Sequence, residues 1–349
     1  MVHSINFLQW LNAMAPIPLI DVRTPAEYNH GHIPGALNLP LFSNEERVIV
    51  GTTYKQKGKE AAILLGFDLT GPKWSQFIRE ALVMAPERKI AVHCWRGGMR
   101  SGAMAWALNF YGFEVNVMSG GYKSYRRWTL QQFEKSYVLS LIGGMTGSGK
   151  TKILHQLRDL KEQVIDLENL AGHQGSAYGS LNKLIQPTQE QFENNLANVL
   201  YHLNAEKRIW VEDECINIGR CQVPKAFWKQ MLAADLIDIR MPSELRVKVL
   251  TDEYGSLDKN FLIESTERIR KRLGPEQCKF AVTAIQENRM EDFIRQVLIY
   301  YDKTYQKGLS QRSAELITPV VVETTDPREN ANKVLTVEKA FSKLNTEKI

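Results

Sequence analysis

No Cys-x2-Cys pair occurs in this chain, and no histidine doublet downstream completes one. The four cysteines, Cys94, Cys215, Cys221 and Cys278, stand far apart. That spacing argues against structural zinc and against a disulfide framework. No apolar run approaches the ~20 residues of a membrane span. The opening residues, Met1-Val2-His3-Ser4-Ile5-Asn6, lack a basic segment followed by an apolar one. Neither a secretory leader nor a membrane anchor is expected, and the cytoplasm is the expected compartment. A strong charge bias is also missing. The 44 Lys and Arg against 39 Asp and Glu leave +5, which is compatible with a polyanionic partner but is no signature of a dedicated nucleic-acid-binding domain.

What is present is a mixed-charge chain of 349 residues, 44% of them apolar. That is too long for one ordinary core and suits two α/β domains with a helical extension. The most informative stretch is His93-Cys94-Trp95-Arg96-Gly97-Gly98-Met99-Arg100-Ser101. Before it, Lys89-Ile90-Ala91-Val92 reads as a short buried strand. After it, Met104, Ala107 and Leu108 recur at helical spacing. In such a strand-loop-helix turn the N–H groups of Gly97, Gly98 and the first helical turn converge on the sulfur, and the helix N-terminus adds partial positive charge. Arg96 and Arg100 add full charges, and Ser101 is expected at the helix N-cap. Together these predict a depressed thiol pKa and a nucleophilic Cys94 in an anion cradle made by Arg96, Gly97, Gly98, Met99, Arg100 and Ser101. The plainer alternative is a buried small hydrophobe at a strand end, with both arginines in water.

Upstream, Ile17–Val22 suits a first buried strand. Thr24-Pro25-Ala26-Glu27 then opens a helix, with Thr24 as cap and Glu27 closing a capping box. His30 and His32 fall in a turn, where bonding to backbone is the simpler role. Asp21-Val22-Arg23, Glu27-Tyr28, Gly31-His32-Ile33-Pro34-Gly35-Ala36, the Cys94 loop and Gly120-Gly121 together resemble a rhodanese domain over residues 4–128. The resemblance implies a small parallel α/β domain with a persulfide-carrying cysteine at the end of a central strand. Sulfur-transferring rhodaneses have a cradle one residue shorter. The His-Cys-x5-Arg form found here is that of the dual-specificity phosphatases of the same fold, and it suits a phosphate-sized anion. A phosphatase needs an acid for its leaving group, and residues 95–99 include no Asp or Glu.

Residues 38–74 read as an exposed insertion near the cradle, in which Lys55, Lys57 and Lys59 are a solvated face or a polyanion contact. Gly120-Gly121-Tyr122-Lys123-Ser124-Tyr125-Arg126-Arg127-Trp128 interleaves aromatics with bases. It is either a grip on nucleic acid or a linker packed on its rings.

A second nucleus follows. Tyr137–Ile142 is an apolar strand running into Gly143-Gly144-Met145-Thr146-Gly147-Ser148-Gly149-Lys150-Thr151, and Ile153, Leu154 and Leu157 mark the helix after it. Gly144 to Thr151 is a complete G-x4-G-K-T phosphate loop in its required context. Backbone N–H groups of Gly144, Gly147, Ser148 and Gly149 reach phosphate oxygens, Lys150 supplies a point charge, and Thr151 can hold Mg2+. Val164–Glu168 and Arg208–Glu214 read as further strands of the same parallel sheet, ending in carboxylates where such sheets place ligands. Asp166 is a candidate to orient substrate and Glu212 or Asp213 to assist a metal, unless these acids merely cap strands. His173 belongs to a polar loop, 173–179, that can close over substrate. Beyond Pro242 helices are expected over Glu244–Tyr254, Phe261–Leu273 and Met290–Tyr305, with Arg268, Arg270, Lys271 and Arg272 on a wet face. A last strand over Pro319–Thr325 and a closing helix over Ala331–Leu344 complete an expected division into 1–130, rhodanese-like, and 131–349, a P-loop NTPase-like parallel-sheet domain with a helical C-terminal part.

A reactive-cysteine domain joined to a phosphate-loop domain, with Cys94-Trp95-Arg96-Gly97-Gly98-Met99-Arg100-Ser101, Gly120-Gly121-Tyr122-Lys123 and Gly143 to Thr151 as they stand here, resembles the bacterial tRNA 2-selenouridine synthase family. The resemblance implies a transferase acting on wobble 2-thiouridine of tRNA for Lys, Glu and Gln. Geranyl diphosphate first alkylates the sulfur, and selenium from selenophosphate then replaces the geranylthio group through a Cys94 perselenide. It further implies no tightly bound cofactor, a separate enzyme supplying selenophosphate, and a monomer. The alternatives are a rhodanese-type sulfurtransferase coupled to ATP hydrolysis, a dual-specificity-like phosphatase, and a non-catalytic tRNA-binding module.

Overall fold

The computed structural model describes residues 2–173, 178 and 185–346, with side chains as far as Glu338. The chain divides into two compact units, Met1–Gln132 with Glu193–Asn198, and Phe133–Phe192 with Val199–Ile349.

The first unit holds strands β1 (Val2–Ile5), β2 (Leu19–Asp21), β3 (Leu37–Asn38), β4 (Lys89–His93) and β5 (Glu114–Met118), in the spatial order β1-β5-β4-β2-β3. Every pairing is parallel. Alternate side chains explain the burial. Ile20, Ile90, Val92 and Val115 enter one apolar cluster, whereas Leu19, Ala91 and Met118 enter another, as the two-residue period of a sheet covered on both faces requires. Each fully buried Ile or Leu contributes about 1.5–3 kcal/mol. β1 precedes the strand expected to be first, at the sheet edge beside β5. The insertion after β3 forms two helices, Asn44–Lys57 and Lys59–Thr70; Lys55, Lys57 and Lys59 are exposed there.

The aromatic-basic segment forms a helix, Gly121–Glu134. Tyr122 and Tyr125 are buried in the second cluster with Phe7, and Trp128 packs against it. Arg126 pairs with Glu193 within this unit. The rings serve packing, as the linker reading holds, while Lys123 and Arg127 stay exposed.

The second unit is built on β6 (Leu139–Gly144), β7 (Gln163–Ile165) and β8 (Ile209–Glu212), the short antiparallel pair β9 (Asn217–Ile218) and β10 (Cys221–Gln222), then β11 (Asp235–Arg240) and β12 (Ile317–Val321). The main sheet runs β12-β11-β6-β8-β7, again parallel throughout. β11 was not anticipated, and it lies directly beside the phosphate-loop strand. β7 stops at Ile165, because Asp166 caps a short helix, Leu167–Ala171, where the sequence suggested continued strand. Ile153, Leu154 and Leu157 pack on Ile142, Trp210 and Ile239, joined by Ala331 and Val334 of the last helix, Pro327–Thr346.

Helices Ser243–Tyr254, Lys259–Arg268, Arg270–Leu273, Pro275–Gln286 and Met290–Leu309 form a separate apolar core that includes Phe293, Ile294 and Tyr178. The expected helix 261–273 is interrupted at Ile269, and Pro275–Gln286 is an addition. No helix among the described residues is long and apolar enough to cross a membrane.

Candidate functional site

Cys94 follows β4 at the middle of the first sheet. Its loop is docked from below by the Gly120-Gly121 corner: the N–H groups of Tyr122 and Lys123 donate to the Cys94 and Trp95 carbonyls, both at 2.9 Å. Gly121 has φ +54°, and a Cβ there would lie 2.3 Å from the Cys94 oxygen. That close approach accounts for the glycine pair after β5.

The helix after the loop is Met99–Phe110, with Gly98 at its N-cap. Ser101 is therefore not the cap; it sits in the first turn. There its hydroxyl lies 3.3 Å from Cys94 Sγ and 3.0 Å from the Gly98 carbonyl. The Gly98 N–H donates to the sulfur at 3.3 Å. Burial pushes the thiol up, yet hydrogen bonds from the Ser101 hydroxyl and from the Ser101, Arg96 and Gly98 backbone outweigh it and hold Cys94 below the usual thiol range. Hydrogen bonds, not the arginine charges alone, thus favour the thiolate. Cys94 is only 4% exposed, a member of the apolar core whose sulfur meets hydrogen-bond donors.

The two arginines part company. Arg96 is exposed. Arg100 is half-buried and forked on Glu27, Nη1 to Oε2 at 2.6 Å and Nη2 to Oε1 at 3.1 Å. Despite burial, Arg100 and the Thr24 N–H keep the Glu27 carboxyl below its ordinary value. Glu27 was legible as a helix cap and not as a partner of the cradle. Beneath the loop, Asp21 and Arg23 form a buried pair at 2.5 Å, and Arg23 lies 3.7 Å over the Tyr122 ring. His93 Nε2 is 3.7 Å from Asp21, and burial pushes its pKa down. His32 bonds the Tyr28 carbonyl at 3.0 Å, the structural role expected of it.

In the second unit, Lys150 Nζ donates to the Gly144 carbonyl at 2.9 Å. Thr151 donates to Glu168 Oε2 at 3.2 Å. Glu212 is fully buried; the Thr151 hydroxyl beside it gives its proton to Glu168, so among the described residues neither Glu212 oxygen is hydrogen-bonded. Burial, then the charges of Glu168 and Glu214, raise it well above its ordinary value. Burial and Glu214 likewise push Glu168 up to about 8. Lys150, Thr151, Glu168, Glu212 and Glu214 thus lie together.

Asp213 is paired with Arg312 at 2.6 Å and also feels the charge of Lys150. Asp166 caps its helix by accepting from the Asn169 N–H at 2.8 Å, and it takes His155 Nε2 at 2.6 Å. For these two acids the capping and pairing roles are what the structure shows. His173 donates its N–H to the Glu168 carbonyl at 3.0 Å, and burial lowers its ring pKa. Of the loop expected to follow it, 174–177 and 179 lie outside the described residues. The Met145–Ser148 turn is held from outside by Arg246, which donates to the Thr146 carbonyl at 3.1 Å and is forked on Asp302 at 2.8 and 2.7 Å.

The oxygen donors of Thr151, Glu168 and Glu212 suit a hard cation such as Mg2+, and the unpartnered Glu212 oxygens are the observation that fits one. Among the described residues no three His, Cys, Asp or Glu are gathered to hold a metal by themselves. Water and substrate phosphate would complete such a shell.

Comparison with known proteins bears on both units. Residues 7–127 match the Rhodanese-like domain model, and residues 137–326 match the model described as tRNA 2-selenouridine synthase AAA domain. A tRNA 2-selenouridine synthase of Nitrosomonas eutropha is 38% identical over 254 residues, 69% of this chain and 63% of that protein. Those of Shewanella sediminis and Shewanella denitrificans are 35% and 37% identical, each over 86% of this chain and 90% of the relative. With both domain models matched in order, and relatives of this identity aligned over most of their length, the chain belongs to the tRNA 2-selenouridine synthase family.

Proposed function

We propose that the chain converts wobble 2-thiouridine in tRNA for lysine, glutamate and glutamine to 2-selenouridine, in two steps. Geranyl diphosphate first alkylates the thiocarbonyl sulfur, and selenium from selenophosphate then displaces the geranylthio group. The observation that carries the reading is the presence in one chain of a donor-ringed thiol, with Gly98 N–H 3.3 Å from Cys94 Sγ, and a complete phosphate loop.

Chemistry explains why both are needed. A thiocarbonyl sulfur is a poor leaving group, and S-alkylation lets it depart as a thiol. In the first step charge develops on the leaving diphosphate. Lys150 and the loop N–H groups would stabilise it, and Thr151 and Glu212 would hold Mg2+, which when bound would add positive charge. In the second step Cys94 engages the selenium donor and Arg100 faces its phosphate.

The phosphatase alternative loses ground, because Glu27, the carboxylate forked on Arg100, is held ionised by it and has no proton to give. The ATP-coupled sulfurtransferase is distinguished by which chalcogen reaches the nucleoside. Mass spectrometry of tRNA nucleosides, with the two steps assayed separately, tests the scheme. Lys150→Ala is expected to slow geranylation by about 10²–10³-fold and to spare selenation of tRNA already geranylated. Normal geranylation by a variant that has lost nucleotide binding would remove geranyl diphosphate from the phosphate loop.

A further inference from the structure

Selenium in selenophosphate is already at the selenide level, bonded to pentavalent phosphorus. In a cysteine perselenide it stands two electrons higher, so forming one with release of phosphate requires an oxidant. The cradle supplies a route that needs none.

Three features point the same way. Backbone N–H groups of Arg96, Gly98 and Ser101 gather on the Cys94 sulfur, that of Gly98 at 3.3 Å, where the oxygens of a phosphoryl group bonded to that sulfur would meet them. Arg100 is held in place by Glu27 at 2.6 and 3.1 Å, and Glu27 Oε2 is itself held by the Thr24 N–H at 3.1 Å. The guanidinium is therefore aimed before any anion arrives, and the carboxylate that aims it stays ionised. Finally, no acid stands in the loop between Cys94 and Arg100. An alkoxide leaving from phosphorus would need one, whereas hydroselenide, a weak base, does not.

We propose that the Cys94 cradle cleaves the phosphorus–selenium bond of selenophosphate by transferring the phosphoryl group to sulfur. The proposal rests on the selenophosphate reading above. The Cys94 thiolate attacks phosphorus, the P–Se bond breaks with its electron pair going to selenium, and a solvent proton completes hydroselenide. Phosphorus stays pentavalent. Displacement in line sends the leaving atom away from the sulfur, which lies buried at the base of the loop. That direction is away from the apolar core to which Cys94 belongs. Hydroselenide then adds to C2 of the S-alkylated base, the C2–S bond breaks, and the alkylthiolate departs. Water cleaves the S–P bond, giving phosphate and the free thiol. Glu27 is a positioning residue in this scheme, acting through Arg100.

The test uses the full chain and selenophosphate without tRNA, under argon, with rapid acid quenching and mass analysis of the Cys94 peptide. The expected result is a phosphorylated Cys94 without the selenium isotope pattern, and hydroselenide released in step with it. Cys94→Ser is expected to release none. Glu27→Gln preserves the capping box, since glutamine also accepts from the Thr24 N–H, but loosens the fork on Arg100. It is expected to slow hydroselenide release about tenfold, the scale on which a supporting partner acts, measured at a temperature where both proteins are fully folded. Glu27→Asp is expected to recover part of the rate.

Selenium on Cys94 without phosphorus would overturn the proposal. So would absence of both adduct and hydroselenide in a preparation that selenates S-alkylated tRNA, or a Glu27→Gln rate equal to wild type. Hydroselenide release by a preparation that fails to selenate such tRNA would sustain the bond cleavage and sink the tRNA reading instead.

Discussion

The Cys94 cradle and the phosphate loop are both strand-loop-helix turns at the C-terminal ends of central parallel strands, yet their electrostatics are opposite. Around Cys94 the charges are matched: Arg23 with Asp21, Arg100 with Glu27, and the sulfur with N–H groups. Around Lys150 they are not. Glu168, Glu212 and Glu214 crowd one another, and among the described residues the Thr151 hydroxyl that lies beside Glu212 is spent on Glu168. The first site is organised before its ligand arrives. The second stores unfavourable charge that a cation or phosphate-bound partner can relieve.

The largest effect is expected from the site that is already organised. Cys94→Ser keeps size and hydrogen bonding but replaces a stabilised thiolate with a hydroxyl that stays protonated. Selenouridine should fall by about 10³-fold or more, with the S-alkylated nucleoside accumulating, as read by nucleoside mass spectrometry. Wild-type selenouridine in this variant would show that the organised cradle is not where the substitution happens.

A smaller and opposite effect on stability is expected at the crowded site. A carboxyl whose folded pKa is raised favours folding below its unfolded pKa, and that stability is lost as pH rises through the folded value. For Glu168 the window runs from the ordinary carboxyl range to about 8, and Glu212 moves in the same direction. The metal-free protein should therefore lose stability between pH 5 and pH 8. Glu212→Gln should flatten that slope and gain about 1–3 kcal/mol at pH 8, measured by denaturant unfolding. Mg2+ should stabilise the wild type more than the variant. An unchanged slope would mean that the buried carboxylates are relieved by something else.

The two sites also differ in how far they could be read from sequence. Both turns were legible because each is written in consecutive residues, with an apolar strand before and a helical period after. Parallel α/β units follow from that alternation. What escaped is non-local. Glu27 and Arg100 are 73 positions apart, and Glu27 already had a complete local role in its capping box. Glu168 and Glu214 stand beside the anticipated Asp166, Glu212 and Asp213, but which acids point at Lys150 depends on where β7 and β8 end. β11 was missed because Asp235-Leu236-Ile237-Asp238-Ile239-Arg240 mixes charge into a strand buried at four of its six positions. Asp238 is tolerated there because Tyr305 donates to it at 2.7 Å from a helix far along the chain. Ser101 was misplaced by a few residues, as helix starts often are when glycine takes the cap.

The smallest effect concerns a single hydrogen bond in the cradle. The Ser101 hydroxyl has one proton and two acceptors in reach, the Gly98 carbonyl at 3.0 Å and the Cys94 sulfur at 3.3 Å. When sulfur is protonated the carbonyl is the better acceptor. Once sulfur is negative, the hydroxyl can turn to it and stabilise the charge. The folded state therefore favours the thiolate, a contribution present above the unfolded thiol pKa and lost as pH falls through the lowered folded value. Ser101→Ala should move the midpoint of iodoacetamide alkylation upward in pH and slow the reaction at pH 7 by roughly fivefold, the worth of a hydrogen bond of about 1 kcal/mol. The backbone donors of Arg96 and Gly98 and the N–H of residue 101 itself remain, so the midpoint should stay below that of an unstructured cysteine. A midpoint unmoved by Ser101→Ala would assign the stabilisation to those N–H groups alone, and would make the cradle a property of loop geometry more than of its serine.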